Sequence, residues 1–183
     1  MNRVPGRDTR NATSSKRRTW YGYGTLTRTE KPPAGRYLHD VTFVFSDLSV
    51  LGLPAILVAF AYADPSPYGV SAATLVGWLT MTAVGAAIRG GWISPLATDI
   101  PGWVSLAPTL LVFRLLYHNV AFLVIAFGST WLAGQLGVAP LSLFFAMATG
   151  VLAVMLFPRA GGSTYRAIHG DGSESGKTGT WLE

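Results

Sequence analysis

The stretch PTLLVFRLLYHNVAFLVIAFGSTWLA, Pro108 to Ala133, runs for 26 residues with one formal charge, Arg114. A helix rises ~1.5 Å per residue and the hydrocarbon core of a bilayer is ~30 Å thick, so about 20 apolar residues suffice to cross it. Backbone N–H and C=O groups find no partner in lipid, which requires such a segment to pair them internally as a helix. Working outward, three more apolar runs are long enough to span: Val41 to Ala63, Val70 to Ile88 and Ala139 to Phe157, of 23, 19 and 19 residues. The expected fold class is an all-α membrane protein with four transmembrane helices. Pro54, inside the first run, is expected to kink it.

The totals agree with this reading. Of the 183 residues, 50% are hydrophobic and only 13% are charged, against roughly 25% charged in soluble domains. The charge is also unevenly placed. Nine of the fourteen Lys and Arg lie in the first 36 residues: Arg3, Arg7, Arg10, Lys16, Arg17, Arg18, Arg28, Lys31 and Arg36. The chain is expected to divide into a basic, largely disordered tail (1–37), a four-helix transmembrane domain (38–158) and a flexible polar end (159–183). The tail's expected partner is an anionic membrane surface rather than nucleic acid.

Short connections force antiparallel neighbours and carry an orientation signal. Asp64 to Gly69, between the first two runs, has no Lys or Arg, and Gly134 to Val138, between the last two, has no charge at all. The tail, Arg89, Arg159 and Arg166 all fall on the other side, which the positive-inside rule makes cytoplasmic. Both termini are therefore expected in the cytoplasm, in the cell membrane. The remaining connection, Arg89 to Pro108, holds three prolines and two tryptophans in a faint echo, Gly91-Trp92-Ile93-Ser94 and Gly102-Trp103-Val104-Ser105. Trp92 and Trp103 suit the headgroup boundary, so an interfacial loop is expected in preference to a re-entrant one.

Composition excludes several chemistries. With no cysteine there are no disulfides, thiolate metal sites or thiol nucleophiles. Gly176-Lys177-Thr178 resembles the end of a phosphate-binding loop, but that loop needs a glycine at 171, which is Asp. Arg17–Arg18 is followed by Tyr21-Gly22-Tyr23-Gly24 instead of the apolar run a twin-arginine signal needs. His39 precedes the first span and His118 lies deep in the third, so the two would not share one haem. No catalytic, cofactor or metal residue is assigned.

What remains is a buried polar cluster: Asp47, Arg114, Tyr117 and His118. Arg114 and His118 are one helical turn apart, on one face, with Tyr117 beside them. Arg114 lies six residues past Pro108 and Asp47 six past Val41, which puts both about 9 Å in from the same side. A lone charge in the bilayer is costly, so a clasp between the two is expected ahead of a snorkelling arginine or an ion site. Small residues recur four apart at Ala55, Ala59 and Ala63, at Ala73 and Gly77, and at Ala146 and Gly150. Such rows suit close helix packing within one bundle.

IRGGWISP, Ile88 to Pro95, together with PTLLVFRLLYHN, Pro108 to Asn119, resembles a group of small four-span integral membrane proteins of halophilic archaea with no assigned function. The resemblance covers about residues 38–158 and implies a fold without implying an activity. The leading functional expectation is a structural or accessory membrane component, alone, as a homo-oligomer or beside other subunits. The alternative is a subunit of an oligomeric transporter or channel using Arg114, His118 and Asp47. A third is a lipid-modifying enzyme in which Asp40, Asp47 and His118 converge.

Overall fold

The structure is a computed structural model and describes residues 33–96 and 108–169. Among the described residues all regular structure is helical: α1 (Pro33–Leu51), α2 (Leu53–Ala61), α3 (Val70–Arg89), α4 (Pro108–Leu123), a π-helical turn (Val124–Gly128), α5 (Ser129–Leu136) and α6 (Leu141–His169). Three of these stretches are long and apolar enough to cross a membrane: Val70–Arg89, Leu110–Leu136 and Leu141–Thr164. The first apolar run is different. It forms α1 and α2, bent by 68° at Gly52. Counted as one span, the pair makes a fourth.

Two helices reach well beyond their apolar runs. α1 starts at Pro33, ahead of Val41 and inside the stretch expected to be unfolded, because proline at a first helical position forfeits an N–H that had no intrahelical partner anyway. α6 continues through Pro158 to His169, well past the expected end at Phe157 and into the stretch expected to be flexible. Tail residues Arg3 to Lys31, together with Trp103, lie outside the described residues, and nothing is described of the Arg166 side chain.

α3 sits between α1 and α6. Its approach to α6 is close because the contact is built on glycine: a Cβ at Gly150 would stand 3.2 Å from the Gly77 carbonyl oxygen, and one at Gly77 would stand 2.4 Å from Ile125 Cγ2. Ala73, Met81, Ile125 and Ala146 fill the same core with no exposed surface. The small-residue rows thus serve internal packing here, except that Ala63 is exposed. α1 shows a regular helical pattern, with Asp40, Val44 and Leu48 on the buried stripe and Thr42 and Ser46 on the opposite, exposed face.

Two connections are pinned. After α3 the chain turns at Gly91, whose φ of 74° is left-handed. The Gly91 and Trp92 N–H groups return to the Ile88 and Ala87 carbonyls at 3.0 and 2.8 Å, which satisfies the helix end. The Leu96 N–H then donates to the Met155 carbonyl of α6 at 3.2 Å, while Trp92 stays 56% exposed. At the other end, the Ser142 hydroxyl at the start of α6 donates to the Tyr68 carbonyl at 2.8 Å.

Candidate functional site

The only charged residue of α4 meets a charge on α1. Arg114 Nη2 makes an ion pair with Asp47 Oδ2, and His118 Nε2 lies 3.8 Å from the same oxygen. The side chains of Arg114, Asp47 and His118 are 11%, 21% and 1% exposed. α1 and α4 run in the same direction, so residues at equal distance along them come level and the two opposite charges meet. In a medium of low dielectric each charge offsets the other's burial penalty.

Tyr117 does not join this contact. Its hydroxyl points to α6 and donates to the Ala153 carbonyl at 2.7 Å. Its ring belongs to an aromatic group with Phe113, His118 and Phe157, in which His118 stacks on Phe157 at 5.2 Å. α4 therefore holds α1 with Arg114 and His118, and α6 with Tyr117.

A residue the sequence reading left unassigned completes the grip. Asn119 lies against the break between α1 and α2. Its Oδ1 accepts from the Ala55 N–H at 2.8 Å, and its Nδ2 donates to the Leu51 carbonyl at 2.7 Å. The same Nδ2 is 2.7 Å from the carbonyl of Leu115 in its own helix. In an unbroken helix Leu51 and Ala55 would bond each other. The Asn119 amide stands between them and serves both, so neither polar group is left unpaired. One turn on, the Phe122 ring occupies the space over Gly52, where a Cβ would come within 2.4 Å of Phe122 Cε2.

The break follows from this local chemistry. Pro54 has no N–H for the Val50 carbonyl and its ring crowds that carbonyl, which weakens the helix there. Gly52, without a Cβ, admits Phe122. The bend is centred at Gly52 rather than at Pro54, where the sequence suggested it, because the packing partner enters at the glycine and the proline falls in the first turn of α2.

A second charge contact lies about 10 Å closer to the start of α1, since Asp40 and Asp47 are seven residues, or two turns, apart on one face. Arg89 Nε bonds Asp40 Oδ1 at 3.1 Å, and the Arg89 guanidinium lies over the Phe43 ring at 4.6 Å. The His39 ring is edge to face with Phe43 at 4.9 Å. Asp40 is thus turned to Arg89, whereas Asp47 and His118 come together around Arg114. The sequence held a signal for this pair: Asp40 just precedes the first apolar run and Arg89 just follows the second, so they lie at one level. Among the described residues no three His, Asp or Glu side chains converge as a metal site would require.

Chemically, the arrangement is two carboxylate–guanidinium contacts in steps along α1 and an amide inserted into a backbone ladder. Each fastens one helix to another. No curated protein and no solved structure matches the chain. Residues 31–163, most of its length, match the family model described as Domain of unknown function (DUF8215), and the chain belongs to that family.

Proposed function

We propose that this DUF8215 protein is a four-span component of the cytoplasmic membrane, with both ends in the cytoplasm, acting as a structural or accessory subunit whose buried charges fasten helices. The observation that carries this reading is the Arg114–Asp47 contact, in which the one arginine of α4 is engaged by a carboxylate of α1 and largely enclosed by the bundle. Orientation is supported by basic residues gathered at one end. The Arg89–Asp40 bond brings the end of α3 beside the start of α1, where Arg36 is exposed, and the Leu96–Met155 bond brings the following loop beside the part of α6 that carries Arg159. The connections at the opposite end, 62–69 and 137–140, hold no Lys or Arg. Each basic residue near an anionic surface contributes ~1 kcal/mol, so the N-terminal segment is drawn to the inner leaflet.

Absence of cysteine makes a clean topology measurement possible. An impermeant maleimide applied to intact cells should label Ser66→Cys and Val138→Cys and spare Ser163→Cys. Labelling of Ser163→Cys alone would invert the topology. The functional claim has its own measurement. Purified protein in vesicles loaded with a pH-sensitive dye should pass protons and small anions no faster than empty vesicles. A flux of the unaltered protein clearly above that of empty vesicles would replace this reading with transport. The transport reading draws support from one feature, the interrupted first span beside Asp47 and His118, since interrupted helices frame ion sites in transporters.

A further inference from the structure

We propose that the Asn119 amide is the catch of a two-state first span: inserted between Leu51 and Ala55 it holds the 68° break, and withdrawn it lets α1 and α2 swing toward one continuous helix. The flanking ladder is already in helical register. Gly52 N–H bonds the Leu48 carbonyl at 2.8 Å, and Ile56 N–H bonds the Gly52 carbonyl at 3.0 Å. Between these rungs Pro54 offers no donor to the Val50 carbonyl, and the next rung, 51–55, is the one the amide has taken over. Its acceptor faces a donor and its donor faces an acceptor at 2.8 and 2.7 Å, from a residue 64 and 68 positions away in the chain.

Both states leave few polar groups unpaired, which makes the span switchable rather than merely bent. On withdrawal the Asn119 NH₂ keeps its bond to the Leu115 carbonyl. The Leu51 carbonyl and the Ala55 N–H, deprived of the amide in a medium that offers no other partner, have each other. The inserted state has its own packing, the Phe122 ring over Gly52 and the Tyr62 ring edge to face with Phe127 at 5.8 Å. Asp47 lies on the α1 side of the break, so its contact with Arg114 anchors one arm while α2 moves.

The test is a distance between spin labels at Leu38→Cys and Ala61→Cys, both exposed and on opposite arms, in protein reconstituted into nanodiscs. Closing the rung leaves only a proline kink of roughly 20–30°, which lengthens the 38–61 separation by about 5 Å. Asn119→Leu, close in size and without polar atoms, is expected to give that longer distance. A folded Asn119→Leu protein with the original distance overturns the proposal. Should Asn119→Leu not fold, Asn119→Leu with Pro54→Ala restores every rung of a straight span and is expected to fold with the longer distance. Failure of that double variant to fold, or an unchanged distance in it, equally overturns the catch. The labels read the break itself, whereas maleimide accessibility reads the topology, so the two claims can fail separately.

Discussion

Among the described residues Pro54 and Pro158 fall inside candidate spans rather than at a first helical position, and the two spans respond in opposite ways. Pro54 stands beside a 68° break between α1 and α2, whereas Pro158 lies inside α6, a helix of 29 residues that continues through it. Both prolines remove one hydrogen bond and crowd the carbonyl four residues back, so the difference comes from the surroundings. At the first, a neighbouring glycine makes room for Phe122 and an amide from α4 occupies the opened rung. At the second, outside donors reach two nearby carbonyls, Tyr117 Oη at Ala153 and Leu96 N–H at Met155, and neither enters the ladder between two turns. A proline weakens a membrane helix, and the groups packed against it decide whether it breaks.

This comparison can be broken at its strongest point first. Removing Arg114 leaves Asp47 buried beside α4 without its cation, a change that costs about 3–5 kcal/mol in comparable buried pairs. Arg114→Ala and Asp47→Ala should each lose most folded yield in detergent, and the exchanged pair, Asp47→Arg with Arg114→Asp, should recover part of it. If the exchanged pair is as damaged as the two single variants, the contact does not hold α1 to α4. Gly52→Ala is the next largest. The added methyl drives into Phe122, and overpacking of this kind costs about 1–3 kcal/mol, read as a lower midpoint of thermal unfolding in detergent with no effect on membrane insertion.

The two prolines supply the finer contrasts. Pro158→Ala gives the Val154 carbonyl a donor in a helix that is already continuous, so stability should rise by about 1 kcal/mol or less with α6 unchanged in shape. Pro54→Ala alone should move the 38–61 label distance least of all, because Asn119 still occupies the rung. A large straightening in Pro54→Ala would return the cause of the break to the proline.

How much of this was legible in the sequence differs by scale. Apolar run length identified the candidate spans, since lipid thickness imposes a length and backbone chemistry imposes a helix. Counting residues from the run ends put Asp47 and Arg114 level, and they do meet, because parallel helices convert equal counts into equal depth. The same count applied to Asp40 and Arg89 would have found the second pair. Asn119 could not be found in this way. An asparagine in an apolar helix has many possible partners, and besides the Leu115 carbonyl of its own helix it has two backbone groups exposed only because a helix 64 to 68 residues away is interrupted. The helices α1 and α6 also run past the polar ends of their apolar runs, to Pro33 and His169, since a helix ends where its backbone bonding stops and not where its side chains turn polar.

The π-helical turn at Val124–Gly128 carries its own consequence. A turn closed five residues apart holds one residue more than an ordinary one. That surplus rotates everything after it by about 100° around the axis. It sets which side of α5 is enclosed, so that Ala133 lies inside at 5% exposure while Trp131 lies outside at 65%. Deleting a single residue from the turn would restore regular spacing and leave the indole outside, whereas closing the turn as ordinary α-helix at its present length would carry Trp131 about 100° around the axis.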